Sequence, residues 1–274
     1  MILFTAALYA EAVPVIEAYG MKKQEGFHNL YIDEEGRHAL LITGSGMLSS
    51  YAAVSSCLEH LDVSGLICFG TAASLHGKTG IFRINRILDG TDNRVFYPDQ
   101  PDASVPEASL ITGNLIYTGN LQDILPGKVC MENDLSSYDL YDMESAAVYS
   151  IARRKLSTHA MQFYRVVSDE GITDALTSVD LTDLVRIMVP VLKQACDEME
   201  VNTLQKWKVP AEFSMYAERL HCSETMKHEL SDLIHYADNA GLDWKNLLNE
   251  MAGDIPDRQQ GKEVLHAFRS RLCE

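Results

Sequence analysis

The chain has 274 residues, 46% of them hydrophobic and 23% charged, a balance that supplies a sizeable core and excludes compositional disorder. At roughly 150 residues per domain, this length admits one large domain with an appendage or two modest ones. Thirty-nine acidic residues against 23 basic ones leave a formal charge of −16, and with no basic cluster this field argues against nucleic acid or an anionic membrane surface as partner.

The first segment, MILFTAALYAEAV, is apolar and ends in small residues, but no basic stretch precedes it. We read it as a buried strand over 2–7 rather than a leader. Further strands are expected at 38–43, 65–69, 81–88, 109–111 and 161–167, several of them apolar throughout, as suits strands covered on both faces. Amphipathic patterns predict helices at 10–19, 49–60, 144–154 and 181–200. Pro190 should kink or interrupt the last of these. Between them the stretch DGTDNRVFYPDQPDASVP, 89–106, has no sustained period and reads as a long loop, either a lid or a disordered connection.

Beyond Lys206 only helical patterns remain. Met226, Leu230, Leu233, Ile234 and Ala237 share one helical face, which Gly241 is placed to end. A shorter helix is expected near Asp243, and a last one carries Val264, Leu265, Phe268 and Leu272. No apolar run reaches roughly 18 residues, so no transmembrane helix is expected. The six cysteines contain no C-x-x-C pair and suit reduced thiols, so the cytoplasm is the expected location. His221, His228 and His235 recur every seven residues; on one helix they would stand roughly 10 Å apart, which suits a solvated or partner-facing surface and not a metal site.

Three acids fall where open α/β sheets place ligands, just after a strand or at a helix start: Glu11 in ALYAEAV, Glu144 in YDMESAAV and Asp169 in FYRVVSDEG. Taken singly, each is also an ordinary helix-capping carboxylate. Two glycine-bearing strand ends, ITGSGMLSS and CFGTAASL, add tight turns. The first is a truncated dinucleotide fingerprint with Ser49 where the third glycine belongs, and no acid is clearly placed about twenty residues on, so NAD and FAD are rejected.

In chain order, AxxxEAV, TGSGM, FGTAAS, YDMESAAV and VVSDE together resemble the purine nucleoside phosphorylase and nucleosidase superfamily, and within it the methylthioadenosine/S-adenosylhomocysteine nucleosidases. The resemblance spans roughly residues 1–200. It implies an α/β, nucleoside-phosphorylase-like three-layer fold with a mostly parallel, mixed central sheet over residues 1–204; the helical patterns that follow have no counterpart in the family's basic fold and read as an all-α extension over 205–274. It further implies hydrolysis of a 5′-modified purine nucleoside. Asp169 would protonate or hydrogen-bond purine N7, oriented by Ser168, and Glu11 would activate water. Glu144, with Met143 and the neighbouring Asp142, would clamp the ribose, while Thr71 and Ala72 lie near the nucleophile and Ile116 and Tyr117 near the base. Tyr117 has an alternative reading as a surface aromatic. No metal or organic cofactor is implied, a homodimer is, and the extension is free to recruit a protein partner.

Phosphorolytic relatives use arginines after the first strand and before the small-residue turn; here the first arginine is Arg37 and Cys68 precedes FGTAAS, which favours water. Arg37, Arg83 or Arg94 could still supply phosphate contacts from elsewhere, so phosphorolysis stays open, as does a silent nucleoside-binding module. Nine basic and twelve acidic residues follow residue 204, leaving −13 of the −16 on the body. That acidity favours an uncharged or zwitterionic nucleoside over a phosphorylated one.

Overall fold

A computed structural model describes residues 1–98, 105–171, 177–204, 209–239, 242–251, 253 and 255–272. The chain divides into two compact units, Met1–Leu204 and Gln205–Glu274.

The first unit is an α/β body. Its strands are β1 (Ile2–Ala6), β2 (Lys22–Lys23), β3 (Leu30–Ile32), β4 (His38–Ile42), β5 (Gly65–Ser74), β6 (Ile81–Asp89), β7 (Val95–Phe96), β8 (Glu107–Thr112), β9 (Leu140–Asp142) and β10 (Met161–Asp169). Its helices are α1 (Tyr9–Tyr19), α2 (Met47–His60), α3 (Gly127–Glu132), α4 (Ser145–Ala152) and α5 (Ser178–Leu204). Successive side chains of a strand point to opposite faces, and the sequence uses both. Leu3, Leu41, Leu66 and Cys68 pack with Val54 and Leu58 of α2 and Ala146 of α4. Ile2, Phe4, Leu40 and Ile67 pack with Val15 of α1 and Val185, Met188 and Leu192 of α5. Helices therefore cover both faces of the β1–β4–β5 region, which is why these strands carry no polar alternation.

The sheet is mixed, as the resemblance implies. The β1–β4, β1–β5, β5–β10, β6–β8 and β8–β9 ladders are parallel, whereas β2–β3, β3–β4, β5–β9, β6–β7 and β6–β10 are antiparallel. Among the described residues the two kinds are equal in number, but the parallel ladders are on the whole the longer, so most paired residues lie in parallel ladders. Strand β5 is longer than its apolar core predicts: Gly65–Cys68 pair with β1, while Ala73 and Ser74 pair with β9. Since β10 also pairs with β5 and β6, the strands β5–β10–β6–β8–β9 close on themselves.

Helix α5 runs through Pro190 without interruption, and α1 likewise contains Pro14. The loop at 89–106 holds a short strand, β7; residues 99–104 lie outside the described residues, so its lid reading does as well.

The second unit contains α6 (Phe213–Arg219), α7 (Glu224–Asn239), α8 (Trp244–Met251) and α9 (Arg258–Leu272). Met226, Leu230, Ile234 and Ala237 of α7 are buried together with Trp244, Leu248, Leu265, Phe268 and Leu272. This face matches the predicted stripe; Gly241 lies outside the described residues. His221 is not on α7. It occupies the turn after α6 at φ 48°, within hydrogen-bonding distance of the Ile255 carbonyl at 3.0 Å, which breaks the seven-residue series. The side chains of His228 and His235 lie outside the described residues. Among those described, no three His, Cys, Asp or Glu side chains are placed to hold a metal, and no helix is long and apolar enough to cross a membrane.

Candidate active site

Strands β1, β5 and β10 run parallel, so their carboxyl ends open on one side of the sheet, where parallel α/β sheets place their crevices. A cleft of about 150 Å³ lies there. Its walls include Glu11, Thr71, Ala72, Ile116, Tyr117, Asp142, Met143, Glu144, Ser168 and Asp169, so every site residue expected from sequence lines the same cleft.

Glu11 is 2% exposed, an unusual place for a carboxylate unless it is fully hydrogen-bonded. Its Oε1 accepts from the Thr71 N–H and the Thr71 hydroxyl, both at 2.8 Å, and its Oε2 accepts from the Leu8 N–H at 3.1 Å. The last bond is the ordinary capping of α1; the two from Thr71 tie β5 to the start of α1 and have no role in capping. Both Thr71 donors are thereby committed to Glu11. Gly70 makes this approach possible, because a Cβ there would sit 3.1 Å from Glu11 Oε1.

Glu144 is the N-cap residue of α4, yet its side chain makes no capping bond. Its Oε1 instead accepts from the Gly46 N–H at 2.7 Å, at the first turn of α2. The TGSGM turn thus has a use other than phosphate binding: Gly44 and Gly46, at φ 79° and 91°, aim a free helix N-terminal donor at this carboxylate. Burial pushes the Glu144 carboxyl up to about 7, Asp142 adds to the rise, and the Gly46 N–H and the Arg165 charge oppose it.

Asp169 ends β10. Its Oδ1 accepts from the Gly171 N–H at 2.8 Å, and the Ser168 hydroxyl lies 2.6 Å from Oδ2 and 3.3 Å from the Ala72 carbonyl. One hydroxyl hydrogen facing two acceptors lets Ser168 donate to a carboxylate Oδ2, or turn to Ala72 when Oδ2 carries a proton.

Tyr117 is 8% exposed, so the surface-aromatic reading falls. Its ring is 5.6 Å from that of Tyr141 and rests over Gly171, where a Cβ would meet Tyr117 Cδ1 at 2.5 Å. Tyr141 also donates from its hydroxyl to the Leu115 carbonyl at 2.6 Å, holding the segment that carries Tyr117. Ile116 is 61% exposed at the rim.

Sequence reasoning missed Arg165. It stands in the apolar strand β10, 2% exposed, and donates from Nε and Nη2 to Asp142 Oδ2 at 3.0 and 2.7 Å, from Nη2 to Ser145 Oγ at 2.7 Å and from Nη1 to the Tyr164 carbonyl at 2.8 Å. Asp142 also accepts from the Thr112 hydroxyl at 2.6 Å and from the Ser145 N–H at 3.1 Å, so its carboxylate is held by the protein rather than offered to a ligand. Arg165 borders a second, much smaller cavity of about 10 Å³ shared with Glu11, Thr71 and Glu144. The available signal was a lone charge inside a doubly covered strand, which requires a buried partner. Arg37, Arg83 and Arg94 do not line the cleft; they pair with Glu35, Glu107 and Asp92.

No family model matches the chain, and no curated protein is similar in sequence. Solved structures do share its fold. The 5′-methylthioadenosine/S-adenosylhomocysteine nucleosidase of S. pneumoniae, with the transition-state inhibitor MT-ImmA, superposes at a TM-score of 0.56 and 18% identity over 70% of this chain and 96% of its own. The futalosine hydrolase of Helicobacter pylori gives 0.56 and 15% over 72% and 97%. The 5′-methylthioadenosine nucleosidase of Arabidopsis thaliana gives 0.56 and 17% over 76% and 96%. Nearly the whole of each neighbour is thus reproduced in about three quarters of this chain, which has the mixed α/β fold of the methylthioadenosine/S-adenosylhomocysteine nucleosidases and futalosine hydrolase.

Proposed function

We propose that this chain hydrolyses the N-glycosidic bond of a 5′-modified purine nucleoside, releasing adenine, with methylthioadenosine, S-adenosylhomocysteine and 5′-deoxyadenosine as substrates. One observation carries the reading: Glu11, Glu144 and Asp169, delivered by three different elements, line one cleft whose described wall has no lysine, arginine or histidine. Bond cleavage develops positive charge on the ribose and negative charge on the departing purine. Glu11 and Glu144, ionised beside the ribose, favour the first, and the second needs a proton at the base.

The geometry supports the following roles. Water adds to C1′ as the C1′–N9 bond breaks and its electron pair leaves with the purine. Glu11, held in place by Thr71 and Leu8, takes the water proton on a remaining lone pair. Asp169 donates its proton to N7, and Ser168 turns from the Ala72 carbonyl to donate to the Oδ2 left ionised. Glu144, once ionised, accepts from the ribose hydroxyls. Acid and base assistance are each worth about 10²–10⁴-fold. Phosphate as nucleophile is disfavoured because Thr71's donors are committed to Glu11 and Arg165 is bound to Asp142. The proposal extends to a cytoplasmic homodimer, with the helical unit open to a protein partner; sedimentation of the purified chain checks the assembly.

The test is free adenine from methylthioadenosine, with and without phosphate. Release without phosphate supports hydrolysis, strict phosphate dependence replaces it with phosphorolysis, and binding without release leaves a binding module. Asp169→Asn and Glu11→Gln should each abolish turnover with the fold intact, and full activity in both would refute the assignment.

A further inference from the structure

Asp169 accepts at Oδ1 from the Gly171 N–H, so the aim of its carboxyl depends on where Gly171 stands. Gly171 is held by the segment above it. At φ 84°, a Cβ on Gly171 would meet the Tyr117 ring at 2.5 Å and the Gly119 nitrogen at 2.7 Å. The segment that supplies both, residues 114–119, lies between β8 and the turn at Leu121 and belongs to no helix or strand. Among the described residues, one hydrogen bond joins 114–119 to the rest of the protein, from the Tyr141 hydroxyl to the Leu115 carbonyl at 2.6 Å. Strand β9 delivers that hydroxyl from across β5, since Tyr141 and Asp169 both pair with Ala73. Gly113 leaves it room, because a Cβ there would collide with the Tyr141 hydroxyl. Burial pushes the Tyr141 phenol up, and the Asp142 and Glu144 charges add to the rise against the Leu115 bond, so the group remains a neutral donor.

We infer that Tyr141 is a positioning residue for Asp169: its hydroxyl pins Leu115, the pinned segment seats the Tyr117 ring on Gly171, and Gly171 fixes the carboxyl. The inference rests on the nucleosidase reading for the role of Asp169 and deepens it by naming a residue that acts on that acid through the protein. The one hydrogen of the Tyr141 hydroxyl is committed to Leu115, so its work is to hold the chain in place. The aromatic contact with Tyr117, at 5.6 Å between ring centres, survives without the hydroxyl; the pin does not. A segment freed of its one hydrogen bond gains the motion of an unpaired loop. Misplacement of a catalytic group by about 1 Å can cost on the order of 10²-fold in rate.

Tyr141→Phe removes the hydroxyl and keeps the ring. The full-length parent and variant are compared on methylthioadenosine, whose base needs a proton to leave, and on 4-nitrophenyl 5-methylthio-ribofuranoside, whose leaving group departs as a stabilised anion. Hydrogen exchange at the Gly171 amide, followed by NMR, reads the hydrogen bond to Asp169 without any turnover. For methylthioadenosine kcat should fall about 10–100-fold, for the nitrophenyl compound it should stay within about twofold, and exchange at Gly171 should quicken at least about tenfold. Gly113→Ala, which displaces the same hydroxyl, should reproduce the pattern. An equal loss on both substrates, as a general structural defect would give, or a rise in KM with kcat unchanged, as a lost base contact would give, overturns the inference. Unchanged exchange at Gly171 overturns it in every case. If the parent releases no adenine and the variant's Gly171 still exchanges faster, the nucleosidase reading falls and the positioning of Asp169 by Tyr141 stands.

Discussion

Replacing Glu144 by glutamine should make the protein more stable and less active, in proportions that depend on pH. The Glu144 carboxyl titrates near 4.5 when unfolded and near 7 in the folded chain, because burial and the Asp142 charge disfavour its ionised form. Between those values the folded state holds a proton that the unfolded state has released, so stability falls as pH rises through this window. A rise of this size corresponds to about 1 kcal/mol lost at pH 5 and about 3 kcal/mol at pH 8. Glutamine has no such titration and keeps an oxygen that can accept from the Gly46 N–H. The variant should therefore gain little at pH 5 and about 2–3 kcal/mol at pH 8, a rise in Tm of roughly 4–12 °C for a unit of this size. Denaturant unfolding followed by circular dichroism, for both proteins at both pH values, gives the comparison. A stability difference that does not change with pH, or a variant weaker than the parent at pH 8, would refute the reasoning. The same substitution removes the proposed ribose acceptor, so KM for methylthioadenosine should rise.

Because Glu144 must be ionised to accept from two hydroxyls, kcat/KM should fall on the acid side with an apparent pKa of about 7, and a profile flat from pH 5 to 8 would contradict its role as clamp. Arg165→Met leaves Asp142 buried without its counter-ion and should cost about 3–5 kcal/mol, read as a lowered denaturation midpoint; pairing it with Asp142→Asn should recover part of the loss. Gly171→Ala forces a side chain onto a backbone at φ 84° and against the Tyr117 ring, so it should cost about 1–3 kcal/mol in stability and raise KM.

Much of the strand content was legible because the relevant signal is local. Apolar runs at 2–7, 38–43, 65–69, 81–88, 109–111 and 161–167 each coincide with a strand, since doubly covered strands need apolar residues on both faces. The strands β2, β3 and β9 escaped notice for the converse reason. Lys22–Lys23 is exposed and polar, and Leu140–Asp142 is three residues long, so neither has a pattern of its own; each is held by its neighbours in the sheet. The closing of the sheet through β5 was equally out of reach, because it depends on which strands meet Ala73 and Ser74.

The site divides along the same line. Chain order alone placed Glu11, Glu144 and Asp169 at strand ends and helix starts, and the spacing of Ser168 and Asp169 already put a hydroxyl beside a carboxyl. Residue type and position along the chain are enough for that. Only the tertiary structure could distinguish Glu11 and Glu144 from ordinary caps and show Asp142 committed to the protein: Glu11 is bound from β5, Glu144 leaves its own helix to reach the N-terminus of another, and Asp142 is turned inward onto Arg165. Those partners lie 60, 98 and 23 residues away along the chain, and the chemistry available to a carboxylate is set by what surrounds it in space.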